Sequence, residues 1–301
     1  MLRRLLKPWF VYQPTRLARR AVAGVRTPHP GYAPLATSWG GRVVADPTRT
    51  IGRSIVTTGV YDLAVSEALA RLVSPGDTVA DAGANVGYMT VLAGVLAGPG
   101  GAVLAFEPHP DLFPVLQRNA AALGPLGGAP VELRQAAVGA AVGTVLLQVP
   151  PGFGANDGIA AVGPAGVPGG RTVAVAAVTL DEALAGRPAA VLKMDVEGYE
   201  PQVLRGAAAA LAGRRIRHVL FEDHAIADSE AAGLLRDAGY RLFALGWSLR
   251  GPRAEPAEGG SLAARYEAPN YIATLAPDEV LGRLRPRGWR VLRRLTRAAG
   301  S

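Results

Sequence analysis

Asp77-Thr-Val-Ala-Asp-Ala-Gly-Ala-Asn-Val-Gly-Tyr-Met-Thr90 is the stretch whose reading decides the fold. A short apolar run, Thr78–Ala82, carries an acid near its end and meets a glycine. After Gly87 comes a helix-like segment, Tyr88–Ala97, rich in Val, Leu and Ala. Strand, glycine turn and helix in that order are the opening unit of an open parallel α/β sheet. Glycines in the turn let the backbone approach a ligand with no Cβ in the way. The acid at the strand end accepts hydrogen bonds from a hydroxyl or an amine, so the loop suits a nucleoside-like cofactor.

Spacing narrows the choice of cofactor. A dinucleotide fold wants Gly-x-Gly-x-x-Gly, whose middle glycine admits a pyrophosphate at the helix N-terminus. Here the spacing is Gly83-x-x-x-Gly87, with Ala84 and Asn85 between, and Asp81 sits where a pyrophosphate is repelled. A second strand, Ala102–Phe106, ends in Glu107-Pro108, and that carboxylate can take both hydroxyls of a ribose. Two strand-end acids and a glycine turn suit a cationic cofactor without phosphates. S-adenosylmethionine has that chemistry; NAD and an oxidoreductase are the disfavoured alternative.

Composition sets outer bounds. The 301 residues suffice for one large core with appendages. The chain has no cysteine, which excludes disulfides, thiolate metal sites and a cysteine nucleophile. No apolar run reaches the roughly 18–20 residues that cross a bilayer. The N-terminus lacks a clean apolar segment and a small-residue cleavage site, so a cytoplasmic protein is expected.

The net charge of +8 is unevenly placed. Arg3, Arg4, Lys7, Arg16, Arg19, Arg20 and Arg26 crowd the first 26 residues with no acid among them. A second run, Arg283 to Arg297, is equally basic and equally free of acids. The remainder is mildly acidic, which argues against a basic nucleic-acid groove built into the fold and against DNA as a partner. The expected organisation is therefore a basic arm and Pro/Gly-rich lead-in over 1–50, a catalytic domain over 51–276 and a basic tail over 277–301. The N-terminal arm, with Trp9, Phe10 and Tyr12, reads as a solvated extension or oligomer arm; contact with a membrane surface, an acidic partner or RNA is the alternative.

Further elements follow from periodicity. Helices are expected over Tyr61–Leu72, Asp111–Leu123, Glu200–Leu211 and Ser229–Ala238. Strands are expected at Val131–Gln135, Thr144–Val149, Thr172–Val178, Val191–Asp195 and His218–Phe221, with Tyr240–Leu245 and Tyr271–Leu275 as a closing antiparallel pair. The long loop Pro150–Gly170 is functional or mobile by its length alone. Its Asn156-Asp157-Gly158 offers polar groups to a substrate, or forms only a tight turn.

Chemistry concentrates on the fourth parallel strand. Val191, Lys193 and Asp195 share one face. A lysine inside a central strand must be paired or catalytic, because burying an unpaired ammonium is costly. Asp195 is its nearest expected partner and Glu222, at the end of the next strand, another. Both acids lie at strand C-terminal ends, where ligands bind in open sheets. His224 is a candidate base; Glu200 suits a helix N-terminus; His29, His109 and His218 stand in no constellation. A divalent metal on Asp195 and Glu222 is compatible with carboxylates, yet no metal ligand set is expected.

Taken together these stretches resemble the FkbM family of S-adenosylmethionine-dependent methyltransferases. The motifs are Asp81-Ala-Gly-Ala-Asn-Val-Gly-Tyr-Met-Thr90, Glu107-Pro-His-Pro110 with Leu116 and Asn119, Thr179-Leu180-Asp181, and Lys193-Met-Asp-Val-Glu-Gly-Tyr-Glu200 continuing through Arg205-Gly206. Asp62 departs from the pattern, standing where the family often shows Glu. The resemblance implies a Rossmann-like class I methyltransferase: α/β, with a mostly parallel seven-stranded sheet and helices on both faces. It implies Asp81, Gly83, Asn85 and Gly87, with Ala84 and Pro108 alongside, at the cofactor and Glu107 at its ribose. Lys193, Asp195 and Glu197 border the acceptor pocket, and Asn156 joins the substrate side. The expected reaction is O-methylation of a hydroxyl on a sugar or small natural product, with Asp195 as base and Glu222 or His224 as competitors. A binding protein that has lost turnover and uses its basic arms on membrane or RNA remains the alternative from another class. RNA methylation is a minor option, and N-methylation lacks the Asn/Asp-Pro-Pro-Tyr/Phe type of motif.

Overall fold

The computed structural model describes residues 7–13, 29–124, 127–154, 158–163, 166, 168–263 and 267–295. After a short turn of helix, α1 (Pro8–Val11), come the strands β1 (Ala33–Ala36) and β2 (Arg42–Ala45), then helices α2 (Thr50–Thr58) and α3 (Leu63–Leu72). The first half of the main fold is β3 (Thr78–Ala82), α4 (Tyr88–Ala97), β4 (Ala102–Phe106), α5 (Phe113–Ala121) and β5 (Val131–Arg134). An insertion follows with β6 (Ala137–Val138), β7 (Gly143–Val149), β8 (Ala161–Val162) and β9 (Arg171–Val178). The second half runs α6 (Leu180–Leu184), β10 (Ala189–Met194), α7 (Glu200–Arg205), α8 (Ala208–Ala212), β11 (Ile216–Glu222) and α9 (Glu230–Asp237). It closes with β12 (Arg241–Ser248), β13 (Gly251–Pro256), β14 (Asn270–Thr274) and α10 (Pro277–Leu284).

The main sheet has the order β13-β12-β14-β11-β10-β3-β4-β5. From β11 to β5 all neighbours are parallel, and β14 runs antiparallel between β11 and β12. The sheet therefore has eight strands, one more than the expected seven. The extra strand, β13, pairs antiparallel with β12 after the two-residue turn Leu249-Arg250. Its sequence, Gly-Pro-Arg-Ala-Glu-Pro, does not read as a strand because proline cannot donate to a ladder. An edge position, open on one side, tolerates both prolines. The strands expected at Thr144–Val149 and Thr172–Val178 form the centre of a separate four-stranded sheet, ordered β6-β9-β7-β8.

Alternation along the central strands divides the core. Val79, Val103, Val191 and Leu220 pack with α3, α4 and α10 on one face, while Ala80, Leu104, Leu192 and Val219 pack with α6 to α9 on the other. All six residues of β10 are buried, and each large apolar side chain there contributes about 1.5–3 kcal/mol of burial. The helix expected over Glu200–Leu211 is broken into α7 and α8 at Gly206. The Gly206 carbonyl accepts the Asp181 amide at 2.9 Å and the Asp181 carboxylate accepts the Ala209 and Ala210 amides, so Asp181 takes the backbone groups freed at the break; a Cβ at Gly206 would stand 2.0 Å from the Gly139 carbonyl oxygen.

The described parts of the two terminal segments, 7–13 and 283–295, join the body. Phe10 is buried, and Gln13 donates to the Leu292 carbonyl at 2.5 Å, so residues 7–13 are not a solvated extension. Residues 1–6 and 14–28 lie outside the described part. Trp289, Val291 and Leu292 are buried in the core. Among the described residues no helix is long and apolar enough to cross a membrane.

Candidate active site

The site lies at the C-terminal ends of β3, β4, β10 and β11. At the end of β3 the chain turns through Gly83, whose φ is +77°. Its carbonyl accepts from the Lys193 ammonium at 2.8 Å, and a Cβ would stand 2.0 Å from the Asp195 carbonyl oxygen. The amides of Gly83 and Ala84 both donate to the Phe106 carbonyl, which ties the turn to β4. Asn85 adopts φ +53° and donates its amide to Glu107 Oε2 at 2.7 Å, while its side-chain oxygen accepts the Val86 amide. Gly87, at φ +89°, caps α4 with no room for a Cβ beside Leu116.

Glu107 is 6% exposed, and its other oxygen accepts the His109 amide at 2.7 Å. Burial pushes its carboxyl up to about 7, although the two amides and Lys193 pull the other way. Beneath the turn, Lys193 stands 3.1 Å from Asp81 Oδ1 and 3.8 Å from Asp195 Oδ2. Burial alone would lower the ammonium, but Asp81 and Asp195 outweigh it and hold Lys193 above its ordinary value. Asp81 Oδ2 accepts from the Thr90 hydroxyl at 2.6 Å. Lys193 is thus paired first with Asp81, not with Asp195 as its own strand suggests, because parallel register sets Lys193 directly beside Asp81.

These residues wall a cleft of about 200 Å³. Of the expected cofactor residues, Gly83, Ala84, Asn85, Glu107 and Pro108 line it. Asp81 does not: it is 1% exposed and sits below the floor, where it holds Lys193 and Thr90. Gly87 shapes the turn from behind. On the opposite wall Lys193, Asp195, Glu197 and Glu222 line the same cleft. Glu197, at the exposed lip with φ +53°, is pushed up to about 7 by partial burial and the charges of Asp195, Glu222 and Glu200. Burial and Asp195 also raise Glu222, against the pull of His224. His224 reaches Glu222 Oε1 at 2.7 Å but is 76% exposed and faces a neighbouring hollow, so it touches the cleft through Glu222. Asn156 lies outside the described residues; Gly158, two positions on, lines the cleft.

Sequence reasoning did not find the other walls. Tyr61, Tyr88 and Met89 close one side, with Trp39 Nε1 donating to the Tyr88 hydroxyl at 3.0 Å. Leu147 and Val162 of the small sheet, with Ala160 just before β8, cover another. An aromatic residue ahead of the Asp62 cap was the only local signal for Tyr61; the small sheet's position over the cleft had none. Asp62 caps α3 by accepting the Val65 amide, and burial pushes it up to about 6. Among the described residues no group of three or more His, Asp or Glu is arranged to hold a metal.

The described residues suit S-adenosylmethionine. Glu107 presents a buried carboxylate for a ribose, the Gly83–Asn85 backbone is free of bulk and of phosphate-binding glycines, and Pro108, Leu112 and Ala136 give an apolar wall fit for a purine.

A strand-end acid pair, a glycine turn and this strand order define a methyltransferase fold. A family model described as the methyltransferase FkbM domain matches residues 81–242, and the chain belongs to that family of S-adenosylmethionine-dependent methyltransferases. No curated protein matches the sequence. Similar solved structures include an S-adenosylmethionine-dependent O-methyltransferase from Thermotoga maritima, at 16% identity and a TM-score of 0.43 over 84% of this chain and 80% of that one. Another is fibrillarin from Aeropyrum pernix with natively bound S-adenosyl-L-methionine, at 12% identity and a TM-score of 0.40 over 70% and 73%. An rRNA methylase from Streptococcus thermophilus has 14% identity and a TM-score of 0.35 over 69% and 91%. None of these likenesses bears on the acceptor.

Proposed function

We propose that this methyltransferase acts on a hydroxyl oxygen of a sugar or small natural product, with Asp195 as the base. The observation that carries the reading is the placement of Asp195, Glu197 and Glu222 in the same cleft as the Gly83–Asn85 turn and Glu107. Carboxylates accept hydrogen bonds from hydroxyls and repel phosphate, so the wall favours a neutral polyol over a nucleic-acid backbone.

S-adenosylmethionine, when bound, supplies a methyl carbon activated by its sulfonium. The protein's part is alignment and proton removal. Asp195 is a third exposed, at a strand end, and Lys193 at 3.8 Å steadies it from below. Its carboxylate would take the acceptor's proton, leaving the acceptor oxygen a better nucleophile toward the activated methyl group.

Calorimetric titration with S-adenosylhomocysteine, followed by radiolabelled methyl transfer to hydroxylated acceptors, tests the reading. Asp195→Asn should lower kcat about 100-fold or more while leaving S-adenosylhomocysteine affinity in place. Full turnover by that variant would remove Asp195 from the role. Failure of the folded wild type to bind S-adenosylhomocysteine would overturn the cofactor assignment itself.

A further inference from the structure

A second groove, of about 340 Å³, opens beside the cleft. Two of the chain's four tryptophans wall it: Trp9 of α1 and Trp247 of β12, with ring centroids 5.6 Å apart and planes tilted by 59°. The other two, Trp39 and Trp289, are each 2% exposed. Trp247 Nε1 donates to Glu267 Oε2 at 2.8 Å, and the Lys7 ammonium lies 4.8 Å from the Trp9 ring and 5.9 Å from that of Trp247. Asp62 and Asn270, joined by a 2.8 Å hydrogen bond, complete the polar side.

The groove and the cleft are neighbours. Tyr61 walls both the groove and the cleft. A third hollow of about 50 Å³ is lined by Tyr61, Asp62 and Asn270 from the groove's wall and by Lys193, Asp195 and Glu222 from the cleft's. Tyr61 therefore stands between the Trp pair and the Asp195 wall.

The two kinds of wall select an occupant. An apolar molecule would cover the indoles but strip water from the Glu267 carboxylate without compensation. A charged or strongly polar ligand would leave the indole faces unused. A pyranose offers a C–H face for an indole and a rim of hydroxyls for carboxylate and amide acceptors. We propose that this groove seats a sugar ring of the methyl acceptor against Trp9 and Trp247, with Glu267 and Asp62 accepting from its hydroxyls. The proposal rests on the hydroxyl-acceptor reading and narrows it to a sugar held at a defined place.

Two core tryptophans and two groove tryptophans make intrinsic fluorescence a direct reporter. The full chain, saturated with S-adenosylhomocysteine, is titrated with the methyl glycosides of glucose, mannose, galactose and rhamnose. At least one should change the emission saturably, and Trp247→Ala should abolish that change. With the glycoside that is methylated, Trp247→Ala should raise the acceptor KM about tenfold, with kcat little altered. Trp247→Phe, which keeps a ring in place, should restore most of the loss and guards against a folding defect. Silence from every glycoside, with S-adenosylhomocysteine still bound, overturns the subsite. So does an unchanged KM in Trp247→Ala, and in that case methylation of hydroxyls still stands. A glycoside that binds at Trp247 but never accepts a methyl group supports the groove and sinks the O-methylation reading instead.

Discussion

Lys193 and Asp81 sit side by side on adjacent parallel strands, their charged atoms 3.1 Å apart and both nearly closed to solvent. The pair joins the two halves of the sheet under the cofactor turn, because the same ammonium donates to the Gly83 carbonyl. Lys193→Met strands a buried carboxylate whose remaining partner is the Thr90 hydroxyl. We expect a loss of about 3–5 kcal/mol in urea unfolding, and weaker S-adenosylhomocysteine binding as the turn loosens. Replacing both charges, Lys193→Met with Asp81→Leu, should recover much of the stability but not the binding. A double variant no more stable than the single one would count against the pairing.

Gly83 and Gly98 test what the turn requires. Both have positive φ, +77° and +64°. At Gly98, with ψ −177°, an added Cβ meets nothing within 4 Å, so Gly98→Ala should cost backbone strain alone, about 1–3 kcal/mol. At Gly83 the same atom would strike the Asp195 backbone, forcing β3 and β10 apart. Gly83→Ala should therefore lower the melting temperature several times further than Gly98→Ala and abolish cofactor binding. Equal melting curves for the two would show that the close approach is not required.

Glu107 gives a pH signature. Its carboxyl is pushed up to about 7 from 4.5, so between those values the folded chain keeps a proton that the unfolded chain has released. That contribution to stability is full below about pH 4.5 and declines as pH rises to 7. His218, buried and driven down to about 4, acts oppositely: its contribution is present above pH 6.5 and lost toward pH 4. The Glu107 effect is isolated by comparing the wild type with Glu107→Gln. From pH 5 to pH 8 the difference in unfolding free energy should move by about 2–3 kcal/mol in favour of the variant. Parallel pH curves would mean that Glu107 ionises as an ordinary carboxylate.

What the sequence disclosed depended on range. The strand–turn–helix at 78–97 and the acids at strand ends are local patterns, and the structure has the turn, Glu107 and Asp195 at one cleft. A lysine in a central strand must be paired or catalytic, and Lys193 has Asp81 beside it. Its own strand pointed to Asp195, whereas register between strands, invisible in one sequence, gives Asp81. Two prolines hid the edge strand Gly251–Pro256, and the Asp181 bonds at the break in the Glu200–Leu211 helix come from a residue well removed in sequence. The tryptophan groove is legible only after the N-terminal turn and β12 are brought together.

Glu67 shows the same limit, and it anchors the last prediction. It lies on α3, one turn before Arg71. In the fold Glu67 is fully buried. Arg71 Nε donates to it at 2.6 Å, and the amides of Arg290 and Val291 donate to it from more than two hundred residues away. Arg71 in turn donates to the carbonyls of Arg283, Pro286 and Gly288. One ion pair thus clamps the segment 283–291 onto α3, whose capping residue Asp62 borders the groove. Glu67→Ala should cost about 3–5 kcal/mol in urea unfolding, since it leaves the Arg71 guanidinium buried without its carboxylate. It should also open the arginine-rich segment to trypsin, read as early cleavage between Arg283 and Arg294 by mass spectrometry. Glu67→Gln keeps an acceptor for the two amides and should lose less. A Glu67→Ala protein with wild-type stability and no early cleavage would show that the apolar packing of Trp289, Val291 and Leu292 holds the segment unaided.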